Sequence, residues 1–208
     1  MLKMAVYIKG LMMGLAYVAP IGAQNLFVIN SAIANKRKKA FLTAAIIIFF
    51  DISLSLACFF GIGALMQTLP WLRKAVLAAG SIIVIYMGIN LIKAKGELDN
   101  SIDTGISLIR TAFMAFSVTW LNPQALIDGT MLLGAANASL AAGTQAQFVL
   151  GFTSASVLWF LGITAAISLF RGKITPKLLR IINVICGTIM LFYGLKLIYS
   201  FIRLVVVN

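Results

Sequence analysis

Histidine is absent from this 208-residue sequence, cysteine occurs twice, proline four times, and Asp and Glu together only five times. With no imidazole, and with Cys58 and Cys186 both inside apolar runs, a zinc or other transition-metal site has no ligand set and no disulfide is expected. The two cysteines read as small core residues. No nucleophile stands beside a candidate base, and no haem or metal motif occurs, which argues against a membrane enzyme or redox protein; no cofactor is expected. Charge is scarce as well: 11% of residues carry it, against about a quarter in an ordinary soluble domain.

Apolar residues fill the space that charge leaves. They make up 62% of the chain, in runs of about 20 residues or more that recur from end to end. That is a membrane composition, with no soluble domain left over. The net charge of +12 would suit nucleic acid, but the Lys and Arg sit in short clusters between apolar runs, as topology signals do, so no nucleic-acid partner is expected. The N-terminus resembles a signal peptide in one respect, since Lys3 and Lys9 precede an apolar stretch containing Ala16-Tyr17-Val18-Ala19. The stretch nevertheless continues past Pro20 to Ile33 and meets the basic stop Lys36-Arg37-Lys38-Lys39, so it reads as a first span.

The expected spans are Met4–Ile33, Ala40–Met66, Leu72–Ile92, Leu108–Ala136, Gln147–Phe170 and Leu178–Val205. Loops after the first, third and fifth hold Lys36, Arg37, Lys38, Lys39, Lys93, Lys95, Arg171, Lys173 and Lys177, whereas the opposite side holds Lys3, Arg73, Lys74 and Arg203. By the positive-inside rule the richer side is cytoplasmic, and both termini face out. The loop from Lys93 to Gly105 carries Glu97, Asp99 and Asp103 and is the clearest hydrophilic linker. It divides the chain into residues 1–96, a linker at 97–105, and residues 106–208. The two parts look alike. Pro20 and Pro123 lie mid-span, each with an aromatic three residues before it (Tyr17, Trp120) and a polar residue five after it (Asn25, Asp128). Gly80, Ser81 and Tyr86 in the third span match Gly187, Thr188 and Tyr193 in the sixth. A three-span repeat re-enters the membrane from the other side, so the expected fold is all-α: six transmembrane helices in two inverted three-helix repeats, with helices 1 and 4 broken. That architecture is typical of alternating-access transporters.

Two acids lie inside spans. An aspartate at a span centre costs about 2.5–3.5 kcal/mol on insertion scales. Asp51 falls about 16 Å into its span, near the middle of a hydrocarbon core of about 30 Å, and Asp128 falls somewhat to the outer side. Either could be a hydrogen-bonded packing residue, but no Lys or Arg is placed at the same depth to neutralise it. Such carboxylates suit a cation or a proton. The runs Pro20-Ile21-Gly22-Ala23-Gln24-Asn25 and Trp120-Leu121-Asn122-Pro123-Gln124 are polar breaks inside apolar spans, with Pro20, Gly22 and Pro123 as the breaking residues. Each proline removes a backbone donor. A plain kink would explain one such run, but the half-helix that starts after each break also presents free N–H groups suited to a substrate carboxylate. Ser154, Ser156 and Trp159 in the fifth span are candidates to line the same cavity, or else ordinary packing residues.

These runs, together with Asp51, Val118-Thr119-Trp120-Leu121-Asn122-Pro123 followed by Asp128, and the run from Ser154 to Phe160, resemble the LysE/ArgO-type lysine and arginine exporters of the LysE/RhtB superfamily. The likeness covers essentially the whole chain. In that branch the first motif usually reads Pro-x-Gly-Pro-Gln-Asn; here Ala23 stands in place of the second proline. The resemblance implies a multi-pass bacterial inner-membrane transporter whose transport aspartates are Asp51 and Asp128. Substrate-binding candidates are Asp51, Asp128, Gln24, Asn25, Asn122, Gln124, Trp120, Ser156 and Trp159, and proton coupling is assigned to the two aspartates. Expected partners are a basic amino acid, protons and the bilayer, with homodimerisation left open. A transporter of a neutral amino acid or another small cation, and a passive channel, are the rival readings.

Overall fold

The computed structural model describes residues 2–61, 70–93, 108–170 and 175–206, and every regular element among them is an α-helix. In chain order they are α1 (Leu2–Val18), α2 (Ala23–Ala34), α3 (Arg37–Phe59), α4 (Pro70–Lys93), α5 (Leu108–Trp120), α6 (Pro123–Ser139), α7 (Gln145–Phe170) and α8 (Pro176–Val206). The linker acids Glu97, Asp99 and Asp103, and the basic Lys95, Arg171 and Lys173, lie outside the described residues.

Both expected breaks are present, for local reasons. α1 stops at Val18 because proline disfavours helical backbone in the residue before it. Gly22 then runs extended at φ −125° and ψ −172° as the N-cap of α2, which leaves α1 at a bend of 78°. The second break is tighter: only Leu121 and Asn122 separate α5 from α6, and Pro123 occupies the first turn of α6, where its missing N–H costs nothing. α3 ends sooner than the expected second span, turning at Phe60 and at Gly61, whose φ of +106° suits only glycine.

Among the described residues α3, α7 and Arg180–Val206 of α8 are each long and apolar enough to cross a bilayer, and the bent pair α1 and α2 adds one more if it counts as a single span. Ala78–Asn90 of α4 and α5 are shorter apolar helices.

The most extensive helix contacts are α4 with α8 and α1 with α7. Glycine permits both. A Cβ built on Gly14 would stand 2.6 Å from the Ala155 Cβ, and one on Gly187 would stand 2.7 Å from the Gly88 carbonyl oxygen. In lipid, where hydrophobicity no longer drives helices together, such small-residue seams let backbones pack closely. Two apolar clusters flank the centre of α3. One contains Val28, Ile47, Val118 and Phe160; the other contains Leu54, Phe59, Leu133, Phe148 and Phe152. On α3, Asp51 falls between Ile47 of the first cluster and Leu54 of the second.

Candidate functional site

Asp51 is 1% exposed and holds two hydrogen bonds. The Gln24 amide donates to its Oδ1 at 3.0 Å and the Ser156 hydroxyl donates to its Oδ2 at 2.5 Å. Both donors are neutral, so among the described residues the carboxylate is solvated by α2 and α7 without a counter-cation. One turn further along α7, Trp159 donates its indole N–H to Asn25 Oδ1 at 2.8 Å. Asn25 is itself fully engaged: its amide nitrogen donates to the Val18 carbonyl at 2.8 Å and the Pro20 carbonyl at 2.7 Å. These are acceptors at the end of α1 that the break leaves without helical donors. Asn25 thus clasps the first break.

At the second break Asn122 caps α6, its side-chain oxygen accepting from the Ala125 N–H at 3.4 Å. The free N-terminus expected there is therefore partly satisfied, whereas α2 begins without any side-chain cap. Trp120 donates to Ser53 Oγ at 3.0 Å and stacks on Phe116, with 6.3 Å between ring centroids. Tyr17, its counterpart before Pro20, donates to the Ala125 carbonyl at 2.9 Å, tying α1 to α6. Ser53 and Ala125 were not singled out from the sequence, and no local signal marks them, since each is defined by a partner more than sixty residues away.

Asp128 sits elsewhere. It is exposed on the wall of an open cavity of about 580 Å³ lined by Met13, Ala16, Tyr17 and Pro20 on one side and Asp128, Met131 and Leu132 on the other. Asp51 does not line this cavity. The two aspartates thus occupy separate environments, one buried and one open, either side of the Tyr17 tie. Ser154 belongs to neither: it accepts from the Tyr7 hydroxyl in the seam between α1 and α7. The side chain of Gln124 lies outside the described residues.

Most hydroxyls in these helices satisfy themselves on a carbonyl one turn back, as Thr43, Ser53, Ser81, Ser117 and Thr153 do. Thr119, Thr164 and Ser168 do not. Their buried side-chain oxygens have no hydrogen-bond partner among the described residues, and the same is true of Gln147 Oε1 at the start of α7.

The LysE type translocator family profile matches residues 15–201. The chain belongs to this family. It is therefore a membrane transporter rather than an enzyme. The arginine exporter protein ArgO of Klebsiella pneumoniae (strain 342) is 32% identical over 196 residues, covering 92% of each chain. ArgO of Escherichia coli (strain K12) is 32% identical over 202 residues, and ArgO of Salmonella schwarzengrund (strain CVM19633) 31% over 202, each with the same coverage. No solved structure matches the translocator.

Proposed function

We propose that this translocator exports cationic amino acids, arginine above all and lysine with it, from the cytoplasm in exchange for protons. The observation that carries the reading is Asp51: a carboxylate buried at the junction of α2, α3 and α7, held only by the neutral donors Gln24 and Ser156. A guanidinium or ammonium is the charge complement that this site lacks. The naming of its relatives as arginine exporters favours the guanidinium. The α-carboxylate of the cargo is assigned to the uncapped N-terminus of α2, where free N–H groups and the positive end of the helix dipole meet it.

Six spans follow if α1 with α2, and α5 with α6, each count as one. Helix directions support the inverted repeat. α1 runs parallel to α7, as Gly10 meets Phe148 and Gly14 meets Ala155; α3 runs parallel to α5 and α6, as Phe50 meets Phe116 and Asn137 meets Phe59. Those two pairings exchange under the repeat. α3 against α7 (Asp51 to Ser156, Phe59 to Phe148) and α4 against α8 (Ile85 to Gly194, Gly88 to Gly187) are antiparallel and map onto themselves. With the basic cluster Lys36–Lys39 in the cytoplasm, the end formed by α1, α6 and the cavity faces out, and both termini lie outside.

Charge dictates the coupling. Moving a monocation out against a potential negative inside costs about 2.3 kcal/mol per 100 mV, so uncoupled export runs uphill. A carboxylate in apolar surroundings holds either a proton or a cation, and accommodates both poorly. Proton arrival from the outer cavity at Asp128 and Asp51 would therefore release the cargo, and a one-to-one exchange is electroneutral. The test is uptake of labelled arginine and lysine into everted membrane vesicles. An imposed proton gradient should drive uptake, and Asp51→Asn should lose that drive. Transport of neutral amino acids alone would sink the substrate assignment, and arginine transport that follows only the membrane potential would sink the antiport.

A further inference from the structure

The two ends of the bundle are unlike. At the outer end α1 and α6 flank the open cavity, whereas at the inner end α2 packs directly on α5 through Val28, Ala115 and Val118. In an inverted repeat the two halves can exchange conformations, and the closed end of one state becomes the open end of the other. In the register that superposes Pro20 on Pro123, the cavity residues Met13, Ala16, Tyr17, Asp128, Met131 and Leu132 fall on Phe116, Thr119, Trp120, Asn25, Val28 and Ile29.

A second observation, independent of the register, falls on the same place. Thr119 is completely buried and its hydroxyl bonds to no atom of the described residues, although Ser117 on the same helix bonds back to Phe113. A hydroxyl sealed without a partner is destabilising. The inner end carries two more, Thr164 and Ser168 on α7. The fourth unpartnered atom, Gln147 Oε1, is at the outer end and has no part in the argument. A polar group that is costly in the closed inner end is repaid in a state where that end admits water and cargo.

We propose that a second, cytoplasm-facing vestibule opens between α2 and α5, lined by Asn25, Val28, Ile29, Phe116, Thr119 and Trp120, and that it is the entrance for the cationic amino acid. The indole and phenyl faces of Trp120 and Phe116 suit a guanidinium passing over them, and the Thr119 hydroxyl accepts from its N–H groups. This inference rests on the inverted-repeat exporter reading and adds the place where cargo enters.

The experiment uses full-length protein carrying Cys58→Ala and Cys186→Ala, with one new cysteine at a time, and a membrane-impermeant charged maleimide applied to right-side-out or everted vesicles. Thr119→Cys and Ile29→Cys should react only from the cytoplasmic face, severalfold more slowly with saturating arginine, and Met131→Cys only from the outer face. Failure of both inner cysteines to react from the cytoplasm, while Met131→Cys reacts from outside, would overturn the vestibule. Sided labelling without any arginine effect on either cysteine or on transport would leave the vestibule standing and remove arginine as the cargo. A separate variant, Thr119→Val, should raise the KM for cytoplasmic arginine severalfold without lowering the thermal midpoint. An unchanged KM would mean that Thr119 only packs, and would count against the proposal.

Discussion

The two helix breaks begin from the same local chemistry and end in different states. Before Ala23, the Asn25 amide bridges the Val18 and Pro20 carbonyls and the break is sealed from within. At Pro123 the cap comes from Asn122 instead, and the residue in the position of Asn25 is Asp128, an acceptor-only group when ionised, which faces the open cavity. A carboxylate could not play the Asn25 part, because it would point two like partial charges at each other. The repeat therefore keeps the break in both halves and uses the polar position differently in each, as a clasp at Asn25 and as an acid on the cavity wall at Asp128.

Exchanging the two counterparts tests this most severely. Asn25→Asp removes both donors from buried carbonyls, each costing about 1–3 kcal/mol, and adds a buried charge with no cation beside it. Thermal unfolding in detergent should show a large loss of stability and little folded protein. Asp128→Asn should lower the thermal midpoint less than Asn25→Asp does and abolish proton-driven arginine uptake. A stable Asn25→Asp protein would show that the first break does not depend on its clasp.

A middling effect is expected at the other cap. Asn122→Ala removes the side-chain acceptor that caps the start of α6, a cap worth about 1 kcal/mol. Its midpoint should fall by clearly less than that of an Asn25→Ala variant, which loses two donated bonds and strands the Trp159 N–H. Equal losses would mean that both breaks are held mainly by packing.

The sequence revealed these breaks because proline acts on its own neighbours, and it revealed Asp51 because the cost of an acid in a span is independent of the fold. Other features depended on the register between distant helices. That Ser156, rather than Ser154, reaches Asp51 is decided by which face of α7 meets α3, and neighbouring serines look alike before that face is known. Depth put Asp128 somewhat to the outer side of Asp51, and the family resemblance named the two together, but neither says which side of a helix a carboxylate occupies; α6 places Asp128 on a cavity wall shared with α1. The glycine seams had a readable signal in Gly10-x-x-x-Gly14, a small-residue spacing that marks close helix contact.

The smallest expected effect concerns the aromatic ties that precede the prolines. Trp120→Phe keeps a ring to stack on Phe116 and removes the donor along with its bond, so nothing polar is stranded on that side. Ser53 loses only an accepted bond and still donates to the Phe50 carbonyl at 2.7 Å. Tyr17→Phe likewise keeps the contact with Phe152 and takes a second donor away from a carbonyl inside α6. Each of these two ties is worth about 0.5–1.5 kcal/mol, the net value of one hydrogen bond. The pair should therefore sit level with Asn122→Ala or above it in thermal midpoint. Their transport effects should differ: Tyr17 ties α1 to α6 beside the open cavity, whereas Trp120 ties α5 to α3 at the closed end. Loosening the closed end favours its opening, so Trp120→Phe should speed cytoplasmic labelling of Ile29→Cys and Tyr17→Phe should not. If both ties changed that labelling alike, the two breaks would be working as one unit, and the contrast between them would not extend to motion.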